Sequence, residues 1–200
     1  MLAAVLLAAL IAGCGSSGSG SGSSAANATD KAFVVEMIPH HQLALEMAKQ
    51  AQAQAQRPQV KSLAGNITSS QSAEIAQMTG IAKTLGVKPA SMNTSAMTAM
   101  QKHAATLGIR MDQMGMDMKM SSLDGAKPFD RAFLDMMTPH HEGAVNMARA
   151  EIAKGKNPKL RALAKTITAD QTKEIGEMKD WRTKWYGKPA PGGGMGTSGG

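Results

Sequence analysis

The feature that most constrains this chain is an internal repeat. Sliding the 200-residue sequence against itself by 100 positions gives a long ungapped match. Asp30-Lys-Ala-Phe33 falls on Asp130-Arg-Ala-Phe133, and Met37-Ile-Pro-His-His41 on Met137-Thr-Pro-His-His141. Ala44, Met47 and Ala48 recur as Ala144, Met147 and Ala148. Pro58, Leu63, Ala64, Ile67 and Thr68 recur as Pro158, Leu163, Ala164, Ile167 and Thr168. Gln71, Glu74, Ile75 and Met78 recur as Gln171, Glu174, Ile175 and Met178. The fold must therefore be two copies of one unit.

Each unit reads as a helical hairpin. Phe33, Met37, His40, Ala44 and Met47 are spaced four, three, four and three apart, which places them on one face of a helix. Asp30 and Asp130 are the expected N-caps. The chain turns near Ala55, and Pro58 or Pro158 fits the first turn of the next helix. There Leu63, Ile67, Gln71, Glu74 and Met78 again follow helical spacing, and the second copy continues through Trp181 and Trp185. Strand signals are absent. Two such hairpins closing on each other predict an all-α four-helix bundle with pseudo-two-fold symmetry. Pro39 and Pro139 fall inside the first helix of each hairpin. An interior Pro removes a backbone hydrogen bond at about 3 kcal/mol, so its appearance in both copies points to a kink that places the His pair. The alternative is that each helix starts at the Pro; Thr138 could cap such a start, but Ile38 is a poor cap.

The ends differ from this core. Met1 to Gly13 is an apolar run too short to span a membrane, and it suits a signal peptide. It leads into Ile11-Ala12-Gly13-Cys14, which resembles the bacterial lipobox, with Cys14 as the lipidated residue. Residues 1–14 are thus read as a lipoprotein-type signal and residues 15–29 as a Gly/Ser tether. Cys14 is the single Cys, so no internal disulfide can form. The Pro/Gly-rich residues 188–200 read as a disordered tail. The folded domain is then 30–187, with repeat one at 30–86, a linker at 87–127 and repeat two at 128–187. The expected location is the extracytoplasmic side of the cell envelope, held to the membrane by the lipid. The net charge of +7 is spread along helical faces among acidic residues, and few aromatics are present to stack on bases. Nucleic acid is therefore not an expected partner.

The chemistry concentrates on the repeated faces. Met37, His40 and Met47 share one face with His41 at its border, and Met137, His140, His141 and Met147 repeat the set. Gln71, Glu74 and Met78, and likewise Gln171, Glu174 and Met178, share a face of the second helix. Pairing these faces brings imidazole, amide and carboxylate groups into an apolar bundle, where each must be satisfied. Two outcomes follow: a structural hydrogen-bond network, or a metal site. Imidazole suits Cu, Zn, Fe and Ni, and thioether selects Cu(I). Met has no proton to lose and no disulfide to form, which makes it a sensible copper ligand in an oxidising compartment.

The linker adds to the thioether supply. The protein has 17 Met, and Met92, Met97, Met100, Met111, Met114, Met116, Met118 and Met120 lie between the repeats together with His103. The run 111–120 is a poor helix core. It reads either as a flexible array that wraps a soft ion or as an adaptable hydrophobic patch. A short extra helix is expected within Ser91 to Leu107.

The doubled Met-x-x-His-His-x-x-Ala-x-x-Met-Ala, each copy followed by Leu-Ala and Ile-Thr-x-x-Gln-x-x-Glu-Ile-x-x-Met, resembles the bacterial domain of unknown function (DUF) family 305. The resemblance covers about Asp30 to Tyr186. It implies a ferritin-like fold, and a link to copper binding and tolerance in exported proteins. Carried over by position, it points to Met37, His40, His41, Met47, Gln71, Glu74 and Met78 and their repeat-two equivalents. The expected function is a non-enzymatic protein that binds Cu(I) or Cu(II) for sequestration, tolerance or transfer. A homo-oligomer or a copper-delivery partner fits that role. Zinc or iron is a weaker fit. A di-iron enzyme would need Glu-x-x-His pairs that this sequence lacks. An envelope scaffold whose His, Gln and Glu form only a network is the main alternative.

Overall fold

In the computed structural model the described residues are 26–91 and 97–187. The signal-like segment with Cys14, most of the tether, Met92 and the tail lie outside them. The order is α1 (Ala28–Gln54), α2 (Pro58–Leu85), α3 (Met97–Leu107), α4 (Phe129–Lys154) and α5 (Pro158–Tyr186). Two short 3-10 turns, Met111–Met114 and Met120–Ser122, precede α4. The result is an all-α bundle of two long hairpins, α1–α2 and α4–α5. The hairpins meet mainly through α1 and α4. Helices α2 and α5 lie on the outside and touch each other only slightly.

Pro39 and Pro139 lie inside continuous helices. Pro39 has no N–H to give to the carbonyl four residues back, and that carbonyl, on Val35, instead accepts the N–H of Ala90 at 2.9 Å. The broken helical bond thus becomes the anchor for the chain leaving α2. The prolines at 58 and 158 open α2 and α5, as their spacing predicts.

The expected caps are wrong. Asn27 caps α1, with Asp30 as the returning member of a capping box. Helix α1 therefore starts before Asp30, and Pro128 holds the cap position of α4. The two Asp residues have a longer-range task. Asp30 accepts the backbone N–H groups of Lys156 (3.0 Å) and Asn157 (2.8 Å) in the turn of the opposite hairpin. Asp130 accepts those of Gln56 (3.0 Å) and Arg57 (3.2 Å) in the turn of the first. Each hairpin ties down the other's turn, because a buried turn N–H needs an acceptor.

Two apolar clusters result, each drawing on both repeats. One contains Phe33, Met37, Met78, Met147 and Leu163; the other contains Met47, Leu63, Phe133, Met137 and Met178. Between them, at the middle of all four long helices, lies a polar layer.

The linker is docked rather than free. Gly115 and Gly143 bring the 3-10 segment against α4 so closely that a Cβ on Gly115 would sit 2.8 Å from the Pro139 carbonyl. Asn146 donates to the Gln113 carbonyl at 3.0 Å from the same side.

Candidate metal centre

The polar layer holds the imidazoles of both His-His pairs. His40 is 1% exposed, and His41, His140 and His141 are fully buried. The rings of His40 and His140 stack across the pseudo-two-fold axis, with centroids 3.6 Å apart and planes 10° from parallel. His41 and His141 flank the stack.

The flanking pair obeys the repeat. His41 Nε2 lies 2.8 Å from a Glu74 oxygen, and His141 Nε2 lies 2.8 Å from the matching oxygen of Glu174. A carboxylate accepts only, so in the neutral ring each Nε2 carries the proton. The lone pair then sits on Nδ1, and neither Nδ1 has a hydrogen-bond partner. His40 has no partner at either nitrogen. The amide groups of Gln71 and Gln171, one turn from each Glu, are also buried without partners. Unpaired buried polar atoms are rare in folded proteins, and their clustering here, with His41 and Gln71 matched by His141 and Gln171, fits the binding of a cation. His140 is the exception. Its Nδ1 faces the Gly115 carbonyl at 2.9 Å and its Nε2 the His40 carbonyl at 3.0 Å. A neutral ring donates to only one of these.

Burial favours the uncharged form of His40, His41 and His140. It holds His40 well below the ordinary imidazole range, with the nearby His140, His41 and His141 adding to the effect. Burial lowers His140 to about 3. His41 is also lowered by burial, against the opposing pull of Glu74. Neutral imidazole is the form that ligates metal.

The repeated thioethers Met37, Met47, Met78, Met137, Met147 and Met178 are all fully buried. They divide between the two apolar clusters, on either side of the imidazoles. Glu74 and Glu174 bind the imidazoles rather than standing free. Among the described residues no three His, Cys, Asp or Glu side chains converge as a ready-made metal cluster. The donors on offer are imidazole nitrogen, amide oxygen and thioether. That set fits a soft or borderline ion better than a hard one.

The linker candidates disperse. Met114 is buried and Met116 partly buried against the first cluster, while Met118 and Met120 pack on the second. Met111 is exposed. His103 sits on α3 and pairs with Glu36 of α1. The run thus fills gaps on the bundle surface, as thioethers do well. Sequence spacing misses three contacts here: the Asp30 and Asp130 braces, the Gly115–Gly143 approach, and the Glu36–His103 pair. The signals for them are the recurrence of Asp and a Gly in mid-helix at 143 where repeat one has Leu43.

Residues 30–192 match the family described as Domain of unknown function (DUF305). This chain belongs to the DUF305 family. Among solved structures it is similar to CopM in the Cu(I)-bound form, at 33% identity and a TM-score of 0.64, covering 79% of this chain and 98% of that one. CopM in the Cu(II)-bound form matches at 30% identity and a TM-score of 0.62, over 78% and 97% of the two chains. A DUF305 fragment from Deinococcus radiodurans matches at 28% identity and a TM-score of 0.64, over 80% and 98%. No curated protein matches the chain. No helix among the described residues is long and apolar enough to cross a membrane.

Proposed function

We propose that this protein binds copper within the bundle, and that it sequesters or transfers the ion outside the cytoplasm rather than catalysing a reaction. The observation that carries the reading is the pair of Glu-braced imidazoles, His41 and His141, each with a buried and unpartnered Nδ1. A carboxylate on the far nitrogen of a ligating His fixes its tautomer and raises its basicity. Similarity to CopM, solved with Cu(I) and Cu(II), supports the choice of metal. On this reading His40, His41 and His141 supply ligand nitrogens, Glu74 and Glu174 orient them, and the buried Met and Gln side chains complete the donor set. His140 faces a carbonyl at each nitrogen, donates to one of them, and serves as the packing partner of His40. Copper supplies no chemistry here beyond being held, and Cu(I) is the favoured state because thioethers surround the layer.

Export and lipid anchoring are proposed from residues 1–14 alone. Replacing Cys14 by Ser should release the protein from membranes.

The competing reading is a purely structural network, and the two carbonyl contacts of His140 favour it. A titration of the full chain against a competing Cu(I) chelator separates the two. Compare it with the variant in which His40, His41, His140 and His141 are all Ala. Tight binding that the variant loses supports the copper site. Equal binding by both means the imidazoles are structural.

A further inference from the structure

Helix α3 lies between the two repeats, and its Met100 packs partly against the first apolar cluster. Met97, Met100 and His103 are spaced three apart, so they follow one another along one side of the helix. Met97 is 54% exposed and Met111 36%, and they are the only large apolar side chains exposed among the described residues. Met111 lies on the 3-10 turn that packs against α3. Single exposed apolar residues are ordinary. A thioether stripe that ends on a braced imidazole is not.

The brace is Glu36. Its side chain is fully buried in α1, while His103 keeps 27% of its side chain exposed. One Glu36 oxygen bonds His103 Nδ1, and the other has no partner. Burying a carboxylate is costly unless it is paired, and repeat two avoids that cost by placing Met136 at the same position. The fold therefore does not require a carboxylate here. Its partner does. In the neutral ring the proton lies on Nδ1 towards Glu36, which leaves the lone pair on Nε2 at the open side. A carboxylate braces this imidazole as one does at His41 and His141, but there it takes Nε2 and leaves Nδ1, whereas here it takes Nδ1 and leaves Nε2.

We propose that α3 carries a second soft-metal site, formed by the thioethers of Met97 and Met100 and by His103 Nε2, which takes a monovalent soft cation, Cu(I) or Ag(I). Glu36 is its positioning residue. The site is separate from the bundle imidazoles and depends on the copper reading only for the identity of the physiological ion. A half-exposed site loads and releases faster than a buried one. It suits the first capture of an ion or its hand-over.

The test is a titration of the full chain with Ag(I), following the Met methyl carbons and the His ring nitrogens by NMR. The methyl signals of Met97 and Met100 and the Nε2 signal of His103 should shift together. The Met97→Leu/Met100→Leu variant should lose one equivalent of bound Ag(I) and keep the shifts at His41 and His141. Glu36→Gln should weaken binding at this site by about 10–100-fold, as loss of a supporting carboxylate does. Shifts confined to His41 and His141 would overturn the α3 site and leave the bundle reading standing. Shifts confined to α3 would do the reverse. An unchanged Ag(I) equivalence in the double Leu variant, with Glu36→Gln altering only the unfolding midpoint, would show that Glu36 and His103 merely latch α3 to α1.

Discussion

Positions 36, 43, 51 and 55 hold Glu, Leu, Ala and Ala in repeat one; the same places in repeat two hold Met136, Gly143, Glu151 and Gly155. Around these differences the Pro, His-His, Gln and Glu positions are identical. The divergent residues lie where the linker and α3 touch the bundle, or beside the cross-braced turns. The identical ones lie in the polar layer and in the braces. The repeat thus provides the polar layer twice over, and the divergent positions fit the connection around it. Gly143 is the clearest case. A mid-helix Gly costs about 1 kcal/mol relative to Ala, yet only a residue without a side chain lets the Met114–Gly115 backbone pass.

Restoring the repeat-one residue at that point should have the largest effect. Gly143→Leu drives a side chain into the Met114 backbone and should cost about 3 kcal/mol in denaturant unfolding, with Met114 becoming open to oxidation. The mirror change Leu43→Gly meets no such contact and should cost about 1 kcal/mol. Equal costs would mean the linker does not dock on α4.

The braces come next. Asp30→Ala strands the N–H groups of Asn27, Lys156 and Asn157 and should cost about 3 kcal/mol. Asp130→Ala strands only Gln56 and Arg57 and should cost about 2 kcal/mol by the same measurement.

The polar layer should behave symmetrically. Glu74→Gln and Glu174→Gln should each weaken Cu(I) binding by about 10–100-fold, and by similar factors. A large effect from one alone would show that the repeats do not share the site equally.

The smallest effect is one of slope. Burial, and then the neighbouring Asp30 carboxylate, pushes Glu151 up to about 8. Burial pulls Asp30 the same way, but the N–H bonds from Asn157 and Asn27 outweigh it and hold that carboxyl low. A carboxyl raised in the folded state favours its protonated form. The stability it contributes is complete below its unfolded value near 4.5, and it is lost as pH rises through about 8. Glu151→Ala should remove that decline. Repeat one has Ala51 at this place and supplies no such titration.

Much of this was legible in the sequence. Helical spacing put Phe33, Met37, His40, Ala44 and Met47 on a buried face, and Leu63, Ile67, Gln71, Glu74 and Met78 on another, because local period reports burial directly. It left His41 at a border, whereas α1 from Ala32 to His41 is buried on every side. The cover there comes from α2, α3 and α4, and no local period records such a neighbour. The caps escape local reading for the same reason. A capping signal at Asp30 is local, while its bonds to Lys156 and Asn157 reach 126 and 127 residues along the chain. The Met run at 111–120 carried composition without periodicity, so its docking depended on Gly115 and Gly143 meeting in space.

The central claim is that His41 and His141 present Nδ1 to copper. Anomalous diffraction at the copper edge from Cu(I)-loaded crystals tests it most directly. The account predicts a copper peak within bonding distance of Nδ1 in both repeats, with Glu74 and Glu174 still on Nε2. Copper found away from both imidazoles, or an empty polar layer in crystals that hold copper elsewhere, would contradict it.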